Sequence, residues 1–153
     1  MRHILALSAL ASACLVGQAQ AQQRSFWNSN FNQGTMEYAA GTFDTPYGGA
    51  ISISCGSDGG VLMLTQIKGK LPAPHSAVVL KTSNRSGSID HSFRTDGDGN
   101  IVLANARRSP VFAKLWSNLR SRDIVTLRFA DGQSEVLSLE GAAGTLPRMP
   151  CAE

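Results

Sequence analysis

Asp96-Gly97-Asp98-Gly99-Asn100 places oxygen-bearing side chains at alternate positions, the spacing with which a loop begins to wrap a hard cation such as calcium. A loop of the EF-hand type then needs glycine at its sixth place and a bidentate glutamate at its twelfth. Those places hold Ile101 and Arg107, so the cage lacks its closing ligand, and a tight hairpin turn accounts for the same residues. Asp90-His91 beside a serine would suggest nucleophilic catalysis. There is no G-x-S-x-G elbow, however, and on a strand Asp90 and His91 face opposite sides. Paired carboxylates for glycoside hydrolysis need two acids converging on one bond, and the eleven acidic residues are scattered singly. Trp27 and Trp116 have rings that can stack on a sugar, though each has a packing role that explains it as well.

The cysteines and the arginines carry more information. Cys14, Cys55 and Cys151 are the three cysteines. They lack the C-x-x-C or H-x-x-x-H spacing of a zinc site, so no metal is expected, and no fingerprint for another cofactor stands out. In an oxidising compartment Cys55 and Cys151 are expected to pair, with two free thiols as the alternative. Residues 67–128 hold eleven basic and four acidic side chains, whereas the segments on either side are net acidic. Arg107, Arg108, Lys114, Arg120 and Arg122 form the candidate interaction surface. It would attract an anionic envelope component, a membrane or a protein partner; the plainer alternative is a solvated face that keeps the protein soluble. Aromatic residues are not interleaved with these arginines, and no nucleic-acid partner is expected.

The beginning of the chain gives the compartment. Met1-Arg2-His3 is a short basic opening, Ile4 to Val16 is uncharged and apolar, and Gly17-Gln18-Ala19-Gln20-Ala21 puts small residues at both positions of a cleavage site. This is the three-part pattern of a secretory signal, with cleavage expected after Ala21. The apolar stretch is shorter than the about 20 residues a membrane-spanning helix needs. A lipoprotein signal ending at Cys14 is the alternative, but the apolar core before that cysteine is short. Residues 22–153 then form one domain, periplasmic or secreted, with no transmembrane span.

The elements that must hold these residues in place are mostly strands. Gln22 to Asn32 is polar but carries Phe26, Trp27 and Phe31, so its end is expected to dock on the domain. Met36 to Phe43 is a weak strand. Ile51, Ile53 and Cys55 alternate with serines, which puts the apolar set and the cysteine on one face. Gly56-Ser57-Asp58-Gly59-Gly60 turns the chain back into Val61 to Ile67. Leu71-Pro72-Ala73-Pro74 excludes a helix, and strands follow at Ala77 to Lys81, Ser88 to Arg94 and Asn100 to Asn105. One helix is predicted over about 109–120. Ser109 is its N-cap, Pro110 its first residue, and Val111, Phe112, Leu115, Trp116 and Leu119 its apolar stripe; Asn118 and Lys114 fall off that stripe. Ile124 to Phe129 and Glu135 to Leu139 pair across Asp131-Gly132, and Gly141 to Leu146 forms a short C-terminal turn. The fold class is mainly β: a small sandwich or barrel-like pair of antiparallel sheets with one amphipathic helix.

Val136-Leu137-Ser138-Leu139-Glu140-Gly141-Ala142-Ala143-Gly144-Thr145-Leu146 resembles the C-terminal pattern of the invasion-associated locus B family of small exported Gram-negative proteins. The chain departs from that family after Gly141, where an aromatic residue is expected, and in its two mature cysteines. The resemblance implies a periplasmic, mainly β, non-enzymatic protein linked to the envelope or to host interaction, and it carries over no catalytic residue. The function expected from the whole sequence is an exported binding module. A small secreted hydrolase, or an inhibitor of a lysozyme-type hydrolase, is the alternative.

Overall fold

In the computed structural model, residues 27–151 are described apart from Gln33 and Asp44. The signal expected over residues 1–21, with Cys14, lies outside them. The described strands are β1 (Asn28–Asn32), β2 (Thr35–Gly41), β3 (Gly49–Cys55), β4 (Val61–Ile67), β5 (Ala77–Asn84), β6 (Gly87–Arg94), β7 (Ile101–Leu103), β8 (Ile124–Phe129) and β9 (Ser134–Ser138). They form two antiparallel sheets, one ordered β1-β2-β3-β4-β7 and the other β6-β5-β8-β9. Of the two expected forms, open sheets are found, and no barrel closes among the described residues.

Period-2 patterning sets the inner faces. In the first sheet Tyr38, Ile51, Ile53, Val61, Met63 and Ile101 are buried, and in the second Val78, Leu80, Val125, Leu127 and Leu137. Tight turns keep the registers. At the β8–β9 turn Asp131 Oδ1 accepts the Gln133 N–H at 3.0 Å, and Gly132 supplies the positive φ of 88°. β1 departs from the sequence reading, which left Asn28 to Asn32 as a polar docking segment. It pairs along its whole length with β2, Asn28 opposite Ala39 and Asn32 opposite Thr35.

α1 (Pro110–Ser121) forms where its signals stand. The Ser109 hydroxyl accepts the Phe112 N–H at 3.3 Å, and Pro110 occupies the first turn. Phe112, Leu115, Trp116 and Leu119 are fully buried, and Trp116 meets Tyr38 of the first sheet edge-on, with ring centroids 5.3 Å apart. Two expectations for this helix change. Val111 is 52% exposed, because at 100° per residue it stands roughly a quarter-turn from the centre of the buried face. Asn118 lies off the apolar stripe yet is buried, for a reason given by the second sheet. α2 (Ala142–Thr145) is the expected C-terminal turn. Among the described residues no helix is long and apolar enough to cross a membrane.

Candidate functional site

Cys55 ends β3 and Cys151 lies in the tail; their sulfurs are bonded, with Cα atoms 5.5 Å apart and a sequence separation of 96. The tail is brought there by long-range bonds from α1. The Trp116 indole N–H donates to the Pro147 carbonyl at 2.8 Å, and Arg120 Nε donates to the Leu146 carbonyl at 3.0 Å. Beside the disulfide a hollow of about 20 Å³ is lined by Phe31, Gly34, Met36, Ser57 and Arg107 as well as both cysteines.

The five basic residues singled out in the sequence divide into two groups. Arg120 and Arg122 are half-buried and hold backbone. Arg120 also reaches the Ala143 carbonyl at 3.3 Å, while Arg122 Nη1 donates to Asn84 Oδ1 at 2.8 Å and to the Gly87 carbonyl at 3.0 Å. These contacts close α2 and the β5–β6 hairpin, which gives both guanidinium groups a structural task. Arg107 and Arg108, on a single 3-10 turn over Ala106–Arg108, and Lys114 on α1 are exposed. Among the described residues none of these three side chains makes an ion pair; the ion pair found there is Arg128 with Asp90, at 3.8 Å and half-exposed.

His91, which the sequence set on the opposite side of its strand from Asp90, is buried in a polar cluster. Asn118 Nδ2 lies 3.1 Å and Thr82 Oγ1 3.5 Å from His91 Nε2. The cluster joins α1 to β5 and β6, and it explains the burial of Asn118: an amide that would be costly to bury alone is tied to a ring nitrogen. Burial pushes the His91 pKa below its ordinary 6.5, the nearby Lys114 charge pushes it the same way, and Asp90 opposes both. The imidazole is therefore neutral at pH 7, with Nε2 accepting the Asn118 amide. As expected, Asp90 and His91 take opposite faces of β6, Asp90 exposed and His91 buried.

Asp96 uses its carboxylate on its own loop: Oδ1 accepts the N–H groups of Asp98 at 2.9 Å and Asn100 at 2.8 Å. A Cβ on Gly99 would come within 2.6 Å of the Pro72 carbonyl oxygen, at a φ of +83°, so glycine here serves a tight turn and a close approach. Among the described residues no group of three or more His, Cys, Asp or Glu side chains is placed to hold a metal. Trp27 is docked, 8% exposed, and its carbonyl accepts the Thr145 hydroxyl at 3.4 Å.

A wider groove of about 390 Å³ runs over the outer face of the first sheet, lined by Thr35, Ser54, Asp58, Leu62, Val102 and Leu103 among others. Asp58 is the ionisable side chain of that lining, and its Oδ1 accepts the Gly60 N–H at 2.9 Å. The groove therefore offers apolar walls and one carboxylate engaged by its own turn. The model of one protein family, YfjT, matches residues 25–146. No curated protein and no solved structure matches the chain.

Proposed function

The chain belongs to the YfjT family, and on that premise we propose that it is an exported, envelope-associated binding module. It holds an anionic partner through the surface formed by Arg107, Arg108 and Lys114. Membership assigns no chemistry, so the reading rests on one observation: these three cations are exposed and, among the described residues, have no acidic partner. Unpaired cations from adjoining elements sum to a local positive potential that draws an anionic surface over several ångströms. Arg120 and Arg122 frame this surface rather than contact the partner, because their guanidinium groups hold carbonyl oxygens. The N-terminal residues 1–21 support the export part of the reading through their basic, apolar and small-residue segments.

Co-sedimentation with isolated envelopes tests it, at low and at high salt, for the wild type and for Arg107→Glu/Arg108→Glu/Lys114→Glu. The expected outcome is binding that weakens with salt, since the Debye length shrinks from about 30 Å at 0.01 M to about 8 Å at physiological strength. The variant should lose that binding while keeping the wild-type circular dichroism and melting point. A wild type that stays in the supernatant at low salt would overturn the proposal.

A further inference from the structure

Cations alone do not tell a membrane from a soluble polyanion; exposed apolar side chains set among them do. Phe31 is 67% exposed and lines the same small hollow as Arg107 and the disulfide. Met149, 68% exposed, stands two residues before Cys151, with the exposed Arg148 beside it. Val111, 52% exposed, follows Arg108 by three residues, on the first turn of α1. Phe31 and Met149, from segments far apart in the sequence, thus each stand near the disulfide with a cation close by, Arg107 at the hollow and Arg148 in the tail. The disulfide ties the tail that carries Met149 to the end of β3, where Cys55 lies opposite Met36 and Met36 opposite Phe31, so the arrangement exists before any partner arrives.

We infer that this end of the molecule is a docking surface for an anionic lipid membrane, with Phe31 and Met149 entering the headgroup region and Arg107, Arg108 and Arg148 facing lipid phosphates. The inference rests on the proposed anionic partner and names its class. Peripheral membrane attachment gains both from buried apolar area and from attraction to anionic headgroups. Each basic residue held near such a leaflet is worth about fivefold in affinity, and insertion of a large apolar side chain about tenfold or more. A polyanion in water rewards only the cations.

The test measures binding to vesicles of equimolar phosphatidylglycerol and phosphatidylcholine, to vesicles of phosphatidylcholine alone, and to dextran sulfate. The full chain is compared with Phe31→Ser/Met149→Ser, and melting curves confirm that this exposed-site variant stays folded. The expected result is binding to the anionic vesicles, at least tenfold weaker for the variant and far weaker without phosphatidylglycerol, with dextran sulfate binding unchanged. Binding to dextran sulfate and envelopes but not to anionic vesicles would overturn the membrane inference and leave the anionic-partner proposal standing. Equal vesicle binding by wild type and variant would also overturn it, since charge alone would then suffice. Binding to none of the three would remove both.

Discussion

Replacing Trp116 with alanine probes the junction on which the fold depends. The indole is fully buried, meets Tyr38 edge-on and Phe112 at a centroid distance of 5.7 Å, and its N–H is bonded to the Pro147 carbonyl. Truncation of a buried tryptophan to alanine costs about 3–5 kcal/mol through lost transfer energy and the cavity left behind. Edge-on aromatic contacts add about 0.5–1.5 kcal/mol beyond area, and the deserted Pro147 carbonyl is half-buried, which places the expected loss in the upper part of that range. Set against a total of about 5–15 kcal/mol for a domain, this is a large share. In urea, at a slope of about 2 kcal/mol/M, the midpoint should fall by about 2 M. The assay is far-UV circular dichroism, which does not depend on the tryptophan removed. Trp116→Phe separates the contributions: it keeps most of the buried area but loses the hydrogen bond, and should fall between wild type and alanine. A loss below about 1 kcal/mol for Trp116→Ala would mean that the ring is not the anchor between α1, the first sheet and the tail.

Two further outcomes follow from the same structure. Thiol titration of unfolded, unreduced protein should find neither Cys55 nor Cys151 free, and Cys55→Ser should lower stability by about 2–5 kcal/mol, given the sequence separation of 96 between the bonded pair. His91 is held neutral in the fold while its unfolded counterpart titrates near 6.5, so its contribution is fully present above that pH. It is lost as pH falls below 6.5 toward the lowered folded value, by at most about 1.4 kcal/mol per pH unit. Denaturation of wild type and His91→Gln between pH 7.5 and about 5 checks this: the wild type should lose the additional stability, and parallel pH profiles would refute the assignment.

Local patterns carried much of this architecture. Ile51, Ile53 and Cys55 alternate, Asp131-Gly132 turns, and Ser109-Pro110 starts the helix, each because the cause lies within a few residues. β1 was not legible, since four of its five residues are Asn or Ser and it owes its shape to backbone pairing with β2. The contact of Asn118 with His91 spans 27 residues, and that of Arg122 with the Gly87 carbonyl spans 35. No spacing rule links such pairs. For the same reason, five basic residues that look alike in the sequence separate into exposed cations and backbone clamps only once the tail and the β5–β6 hairpin are folded against them.

The position of the two bonded cysteines also sets an order in time. A chain made from its N-terminus presents Cys55 early, with β2, β3 and β4 able to pair around it, but its partner comes 96 positions later, after α1 and β9. Until Cys151 has been made, Cys55 is a thiol without its mate, open to exchange with any disulfide it meets. The native bond can close only after α1 and the tail have arrived, and disulfide formation takes seconds or longer. Closure of Cys55 onto Cys151 is thus a molecular record that α1 and the tail have reached the first sheet, and a molecule truncated before Cys151 would carry a permanently unpaired sulfur at the end of β3.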